Sequence, residues 1–304
     1  MNIQDKNKQI ITKYKQYLKL EKSLSKNTVM AYISDLDKLL SYLEEDGKDI
    51  LEVDLDRLEN FSASLRDIGI HPRSQARILS GIRSFYHFLT IDDYIRQDPT
   101  ELLESPLIGK HIPDILSLEE IDSLIGAIDR STKEGQRNCA ILETLYSCGL
   151  RVSELCNLKI SDLYLDEGFI KVEGKGSKQR LVPISDKAVK EIKNYFMSRG
   201  DGLVKPEFED FVFISRFGKN ISRIMVFHII KELAETIGLK KSISPHTFRH
   251  SFATHLLEGG ANLRAIQSML GHECIGTTEI YTHIDKNKLR NEIINHHPRN
   301  KKHK

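Results

Sequence analysis

No stretch of this 304-residue chain approaches the ~18 consecutive apolar residues that a membrane-spanning helix requires. The opening residues, MNIQDKNKQI, hold no apolar core of the kind that a signal peptide carries. A cytoplasmic protein with no membrane partner is therefore expected. Cysteine is scarce, and Cys139, Cys148, Cys156 and Cys274 stand at spacings that build no CxxC metal frame. Three of them fall in apolar helical stretches and read as small buried thiols. A disulfide scaffold is not expected in a cytosolic chain of this length. The HExxH signature of zinc proteases is missing too, since GHECIG only begins like it. Neither a metal nor any other cofactor is expected.

A charge excess of one sign is also lacking. The 45 Lys and Arg against 43 Asp and Glu leave a net charge of +2, which by itself does not announce nucleic acid. Residues 1–110 carry 16 basic and 18 acidic side chains and residues 111–304 carry 29 and 25, so the positive surplus lies in the second part. Much of it sits in KNKLRNEIINHHPRNKKHK, although a basic run of this kind is commonly a solvated end.

What is present is a globular composition, 39% hydrophobic and 29% charged, in a chain longer than one typical core. The first third reads as four helices. In DKNKQIITKYKQYLKL the apolar residues Ile10, Ile11, Tyr14, Tyr17 and Leu18 follow a 3.6 period. In SKNTVMAYISDLDKLLSYLEEDG, Ser25 serves as N-cap, Gly47 as the stop, and Met30, Ile33, Leu36, Leu40 and Leu43 as the buried stripe. A third helix covers about 55–68. The fourth, from Ser74, buries Ile78, Ile82, Phe85 and Leu89. Pro99, Pro106 and Pro113 then crowd one short stretch, and proline cannot continue a helix and biases its predecessor towards extended conformation. This predicts a helical domain over 1–98, a linker over 99–113 and a second domain over 114–304. The second domain opens on a capping box, Ser117 with Glu120. GFIKVEGKGSKQRLVPIS predicts two short strands around a glycine-bearing turn. Further helices are expected at about 136–147, 186–198, 221–237, 245–257, 262–270 and 277–295.

The segment SPHTFRHSFATHLLEGG gathers unusual chemistry. Ser244 and Pro245 mark a helix start, with His246 in the first turn and Arg249 three residues on. Unpaired N–H groups there favour an anion, and an arginine fork adds a bidentate donor for phosphate or carboxylate. His250 points elsewhere, and His255 lies too far along to complete a compact ligand set. Three other stretches hold matching chemistry. GLRVSEL carries Arg151 and Glu154, EGKGSKQR lifts Lys175 onto a turn, and MLGHECIGTTEIYTHI holds His272 and Tyr281. Taken singly these read as a helix-surface ion pair, a turn lysine and a half-buried aromatic.

Taken in order, GLRVSEL, GKGSKQRLVPI, HTFRHSFATHLLEGGANLRAIQSMLGH and TTEIYTH resemble the tyrosine recombinases, and among them the Xer type, over nearly the whole chain. The resemblance implies a mainly α fold with a small antiparallel β-sheet, in which a four-helix core-binding domain precedes an α+β catalytic domain. It implies Tyr281 as nucleophile, Arg151 and Arg249 as phosphate clamp, and Lys175 as general acid. His246 and His272 would assist proton transfer, and Glu154 would support the site. Lys178 is a rival acid on the same turn, and Arg180 is too basic to give up a proton. The second and fourth helices would face the major groove, with Lys26, Asn27, Thr28, Arg73, Arg77 and Arg83 as candidate DNA contacts, most of them to phosphates. The implied reaction is reversible transesterification through a 3′-phosphotyrosine and a Holliday junction. The implied partners are a double-stranded recombination site, a homo- or hetero-tetramer with a second recombinase subunit, and a DNA translocase.

A long N-terminal arm domain and a second full recombinase domain are not seen, which favours the Xer type over arm-binding integrases, and chromosome dimer resolution is the expected role. A mobile-element integrase, a type IB topoisomerase-like nicking enzyme and a non-catalytic DNA-binding protein are the alternatives. Near the end of the chain, Ile284, Leu289, Ile293 and Ile294 form an apolar stripe expected to pack on a neighbouring subunit.

Overall fold

The computed structural model describes residues 3–44, 49–107, 114–174, 178–199, 204–271 and 286–300. The chain divides into two compact units, Met1–His111 and Ile112–Lys304. Among the described residues no helix is long and apolar enough to cross a membrane.

The first unit holds helices α1 (Ile3–Leu20), α2 (Lys26–Glu44), α3 (Leu55–Asp67) and α4 (Pro72–Ile91). Their starts arise from local chemistry. The Asp54 carboxylate accepts from the Arg57 N–H at 2.9 Å to cap α3, and Pro72 occupies the first turn of α4, where its missing N–H costs nothing. The core is built from Ile10, Tyr14 and Leu18 of α1, Leu58, Phe61 and Leu65 of α3, and Ile78, Ile82, Phe85 and Leu89 of α4. Helix α2 departs from the expected stripe. Met30 is exposed, Ile33 and Leu40 are half-buried, and the buried line runs through Val29, Asp35, Leu36, Leu39 and Leu43. The helix is rotated so that a carboxylate enters the α2–α4 seam, where Asp35 receives both outer nitrogens of Arg77. Gly81 of α4 makes room for it, since a Cβ there would lie 3.2 Å from the Asp35 Oδ2.

The second unit is assembled around α6 (Lys133–Cys148), whose residues 139–148 are all buried. Helices α5 (Leu118–Gly126), α8 (Asp186–Arg199) and α10 (Pro245–Glu258) pack against it. The Ser117–Glu120 capping box forms as expected, with each side chain bonded to the other's backbone N–H. Between α6 and α8 lie the short α7 (Val152–Cys156) and an antiparallel sheet of β1 (Leu163–Tyr164), β2 (Phe169–Glu173) and β3 (Gln179–Pro183). Ile170 pairs with Val182 and Glu173 with Gln179, so β2 and β3 run antiparallel with Glu173 and Gln179 as their last pair. Strand β1 was not expected; two residues are too few to show an alternating pattern. Helices α9 (Arg223–Thr236), α11 (Leu263–Leu270) and α12 (Lys286–His296) complete the unit.

Cys139, Cys148 and Cys156 are free and buried. Burial pushes the Cys139 thiol up to about 12 and the Cys156 thiol up to about 11, and raises that of Cys148 as well. They are inert packing groups. Cys274 lies outside the described residues.

The C-terminal stripe corrects its expectation. Leu289 and Ile293 are buried in the core of their own unit, while Ile294 stays exposed and Ile284 lies outside the described residues. Two residues just beyond α12 anchor it further. The Arg299 Nε donates to Glu143 at 3.0 Å, its guanidinium lies 5.2 Å from the Tyr146 ring centre, and His297 is fully buried.

Candidate active site

Helix α6 ends at Gly149, whose φ of +57° reverses the chain into Arg151. The reversal is tight: a Cβ at Gly149 would come within 2.4 Å of the Phe252 ring. Arg151 is then the N-cap residue of α7, and Glu154, three residues on, reaches back to the Arg151 N–H at 2.9 Å. The same carboxylate accepts from the Arg151 Nη1 at 2.8 Å. The pair expected on a helix surface is instead largely interior, with Glu154 only 5% exposed.

Helix α10 starts as its sequence indicates, with Ser244 as cap and Pro245 in the first turn. His246 is exposed at this start, whereas Arg249 points inward. Its Nη1 donates to the Gly149 carbonyl at 2.7 Å and its Nη2 to the Leu270 carbonyl at 2.5 Å. Burial first, then the like charge of Arg151, brings the Arg249 guanidinium down to about 10. It remains a cation at neutral pH. His250 is exposed, and the His255 Nδ1 shares a 2.8 Å hydrogen bond with the Tyr146 hydroxyl, so neither joins the cluster.

A third arginine was missed. Arg180, on β3, places Nη1 and Nη2 at 2.8 and 2.9 Å from the two Glu154 oxygens and donates from Nε to the Met269 carbonyl at 2.8 Å. The sequence placed it beside Lys175 but gave no sign that it turns inward. Burial would raise the Glu154 carboxyl, yet Arg180 and then Arg151 outweigh it and hold it below the usual carboxylate range.

The three arginines converge on the end of α11. Arg180 binds the carbonyl of Met269, Arg249 that of Leu270 and, at 3.3 Å, Arg151 that of Gly271. Cations suit a helix C-terminus because its last carbonyls lack partners within the helix. Gly271 closes the helix at φ +63°, and a Cβ there would lie 3.1 Å from Arg180. The hairpin abuts the same cluster, because the Cβ position of Gly174 lies 3.5 Å from the Arg180 Nη1 and 3.8 Å from the Glu154 Oε1.

Of the expected site residues, the structure thus brings together Arg151, Glu154 and Arg249, with His246 exposed at the start of the Arg249 helix. Lys175, His272 and Tyr281 lie outside the described residues, although Gly174 and Gly271, which adjoin the first two, both border the cluster. Among the described residues no three His, Cys, Asp or Glu side chains are grouped to hold a metal.

The candidate DNA contacts of the first unit separate into two groups. Lys26, Asn27 and Arg73 are exposed. Thr28 shares a 2.8 Å hydrogen bond with Ser25, Arg77 is engaged by Asp35, and Arg83 donates to Ser105 at 2.9 Å and to the Leu103 carbonyl.

Three comparisons bear on this arrangement. Residues 114–288 match the phage integrase family, and residues 11–92 match the N-terminal SAM-like domain of phage integrases. Tyrosine recombinase XerD of Staphylococcus epidermidis is 39% identical over 291 residues, covering 95% of this chain and 99% of that protein. The Listeria innocua XerD is 40% identical over 294 residues with the same coverage. In fold, the chain resembles the XerH site-specific recombinase bound to a palindromic difH substrate, with a TM-score of 0.70 at 22% identity over 93% of this chain and 84% of that one. A helical unit, a second unit in which arginines 98 residues apart meet around one carboxylate, and relatives matching almost end to end converge on one assignment: this chain belongs to the phage integrase family, as a Xer-type, site-specific tyrosine recombinase.

Proposed function

We propose that the chain cleaves and rejoins double-stranded DNA at a recombination site, with Arg151 and Arg249 as the phosphate clamp. The observation that carries this reading is the meeting of those two guanidinia beside Glu154, at the end of the helix that leads into His272. A phosphodiester repels an attacking anion, and charge grows on its non-bridging oxygens as the bond to the nucleophile forms. Fixed cations aimed at those oxygens supply the electrostatic stabilisation that usually dominates such steps.

In this reading the Tyr281 oxygen attacks the scissile phosphorus and forms a 3′-phosphotyrosine, and the 5′-oxygen leaves. Lys175 gives that oxygen its proton, while His246 and His272 hold the phosphate and assist proton transfer. Tyrosine normally titrates near ~10, so it needs the cationic pocket to attack as an oxyanion. The phosphotyrosine ester conserves the energy of the broken linkage, so a 5′-hydroxyl from a partner duplex can displace the tyrosine without ATP. Two such exchanges pass through a Holliday junction. A tetramer on two duplexes, homomeric or with a second recombinase, and a DNA translocase that brings sites together fit this chemistry. Resolution of chromosome dimers in the cytoplasm is the role that we assign to this chemistry, and kinship with tyrosine recombinases named XerD at 39% and 40% identity supports the recombinase part of it.

The test is a nicked suicide substrate resolved on a denaturing gel. Wild-type protein should form a covalent adduct, and Tyr281→Phe should bind the DNA without forming one. An adduct that persists in the Phe variant would sink the assignment.

A further inference from the structure

The geometry points to Arg180 as a positioning residue for strand cleavage: it is the counter-ion that stops Glu154 from neutralising the phosphate-facing arginines. This rests on the clamp reading above and adds to it a residue that touches neither DNA nor the reacting atoms.

Arg180 commits all three of its guanidinium nitrogens to partners inside the protein. Both Nη atoms are on Glu154 and its Nε is on the Met269 carbonyl, and its side chain is 14% exposed. The Arg151 side chain is 35% exposed and commits one Nη to Glu154 and the other to a long 3.3 Å contact. Glu154 also stands 4.0 Å from the Arg249 Nη1, so its negative charge reaches every cation of the cluster. Three guanidinia and one carboxylate sum to +2. With Arg180 removed the sum is +1, and the remaining carboxylate lies between the two arginines that should face an anion. Such a charge acts strongly in a site shielded from water.

The division of labour also explains a structural choice. Glu154 is needed to orient Arg151, because it caps the turn that carries that residue and grips its guanidinium. An uncompensated carboxylate at this place would repel the substrate. Arg180 keeps the orienting group while cancelling its field.

The experiment compares cleavage of an ordinary suicide substrate with one carrying a methylphosphonate at the scissile position, which replaces a charged non-bridging oxygen by a methyl group. On ordinary DNA, Arg180→Gln should cleave ~10–100-fold more slowly than wild type, less than the ~10²–10³ lost with a donor that touches the reacting group itself. Arg180→Lys, which keeps the charge without the fork, should fall between them. On the methylphosphonate the substrate charge is reduced, so both penalties should shrink to below ~3-fold. Made on top of Glu154→Gln, Arg180→Gln should add less than ~3-fold, because no carboxylate remains to be cancelled.

Penalties of equal size on the two substrates, or a full additive loss in the double variant, would overturn the proposal in favour of simple packing. If Arg180→Gln does not fold, Arg180→Lys and the doubly uncharged Glu154→Gln/Arg180→Gln decide the same question. A wild-type protein that forms no adduct at all would instead remove the clamp reading itself.

Discussion

Asp35 and Arg77 join α2 to α4 through a two-pronged ion pair, in which the carboxylate is fully buried and the arginine side chain is 49% exposed. The asymmetry matters because α2 and α4 are the helices expected to address the major groove. Arg77 holds their spacing, so its guanidinium is not simply available to DNA.

Removing the two partners should therefore have unequal effects. Arg77→Ala strands a buried carboxylate and leaves it, among the described residues, with Lys38 at 3.3 Å as its cation. It should cost about 2–3 kcal/mol, below the full penalty of a fully buried pair because Arg77 is half exposed. Asp35→Asn leaves an arginine that can turn to water and should cost ~1 kcal/mol. Urea melts of the two variants check this, and equal losses would contradict it. Loss of DNA binding in Arg77→Ala should then track the melt rather than a missing base contact.

Lys175→Ala should cleave ordinary DNA ~10²–10⁴-fold more slowly, the usual contribution of a general acid to an alkoxide leaving group. When sulfur replaces the 5′-bridging oxygen the leaving group needs no proton, and the rate should be largely restored. Lys178→Ala should show no selective rescue. Rescue of the Lys178 variant in place of the Lys175 variant would move the acid to the other lysine.

Stability should fall in mild acid because of His297. Burial first of all, with the Arg299 and His255 charges adding to it, depresses its imidazole to about 3, against an ordinary value near 6.5. The Arg299 N–H donates to Nδ1 and so occupies that lone pair, while the Tyr146 carbonyl, 3.4 Å from Nε2, pulls the other way without overcoming burial. Below about pH 6.5 the unfolded chain binds a proton that the native state refuses, so stability is intact above that pH and declines as the pH falls towards about 3. By pH 5 the loss is of order 2 kcal/mol. A His297→Gln variant should show a flatter dependence between pH 7 and 5, and an unchanged slope would remove His297 as its source.

Cleavage should continue in excess chelator, because arginines and histidines occupy the place of a Lewis acid in this mechanism. Binding should weaken steeply as salt rises, through counter-ion release from the DNA. A strict Mg²⁺ requirement for the chemical step would overturn the mechanism.

Much of this was legible in the sequence for local reasons. Caps such as Ser117–Glu120 and Ser244–Pro245 are short-range, and the α4 stripe of Ile78, Ile82, Phe85 and Leu89 keeps one period throughout. Helix α2 misled because two apolar lines run side by side, and the choice between Met30 and Val29 was made by a buried Asp35 whose partner is 42 residues away. Arg180 was invisible for the same kind of reason. Its partners are Glu154 and Met269, 26 and 89 residues away, and nothing in a turn of mixed charge indicates which cation folds inward.

The grip of Arg180, Arg249 and Arg151 on the end of α11 falls on main-chain oxygens alone. Such a contact measures length and ignores identity. Exchanging Met269 or Leu270 for another apolar residue leaves all three carbonyls where they are. Inserting or deleting a single residue within Leu263–Leu270 would swing those oxygens by about 100° around the helix axis and shift them about 1.5 Å along it. Relatives should thus tolerate one apolar residue for another at Met269 and Leu270 while the helix keeps its residue count.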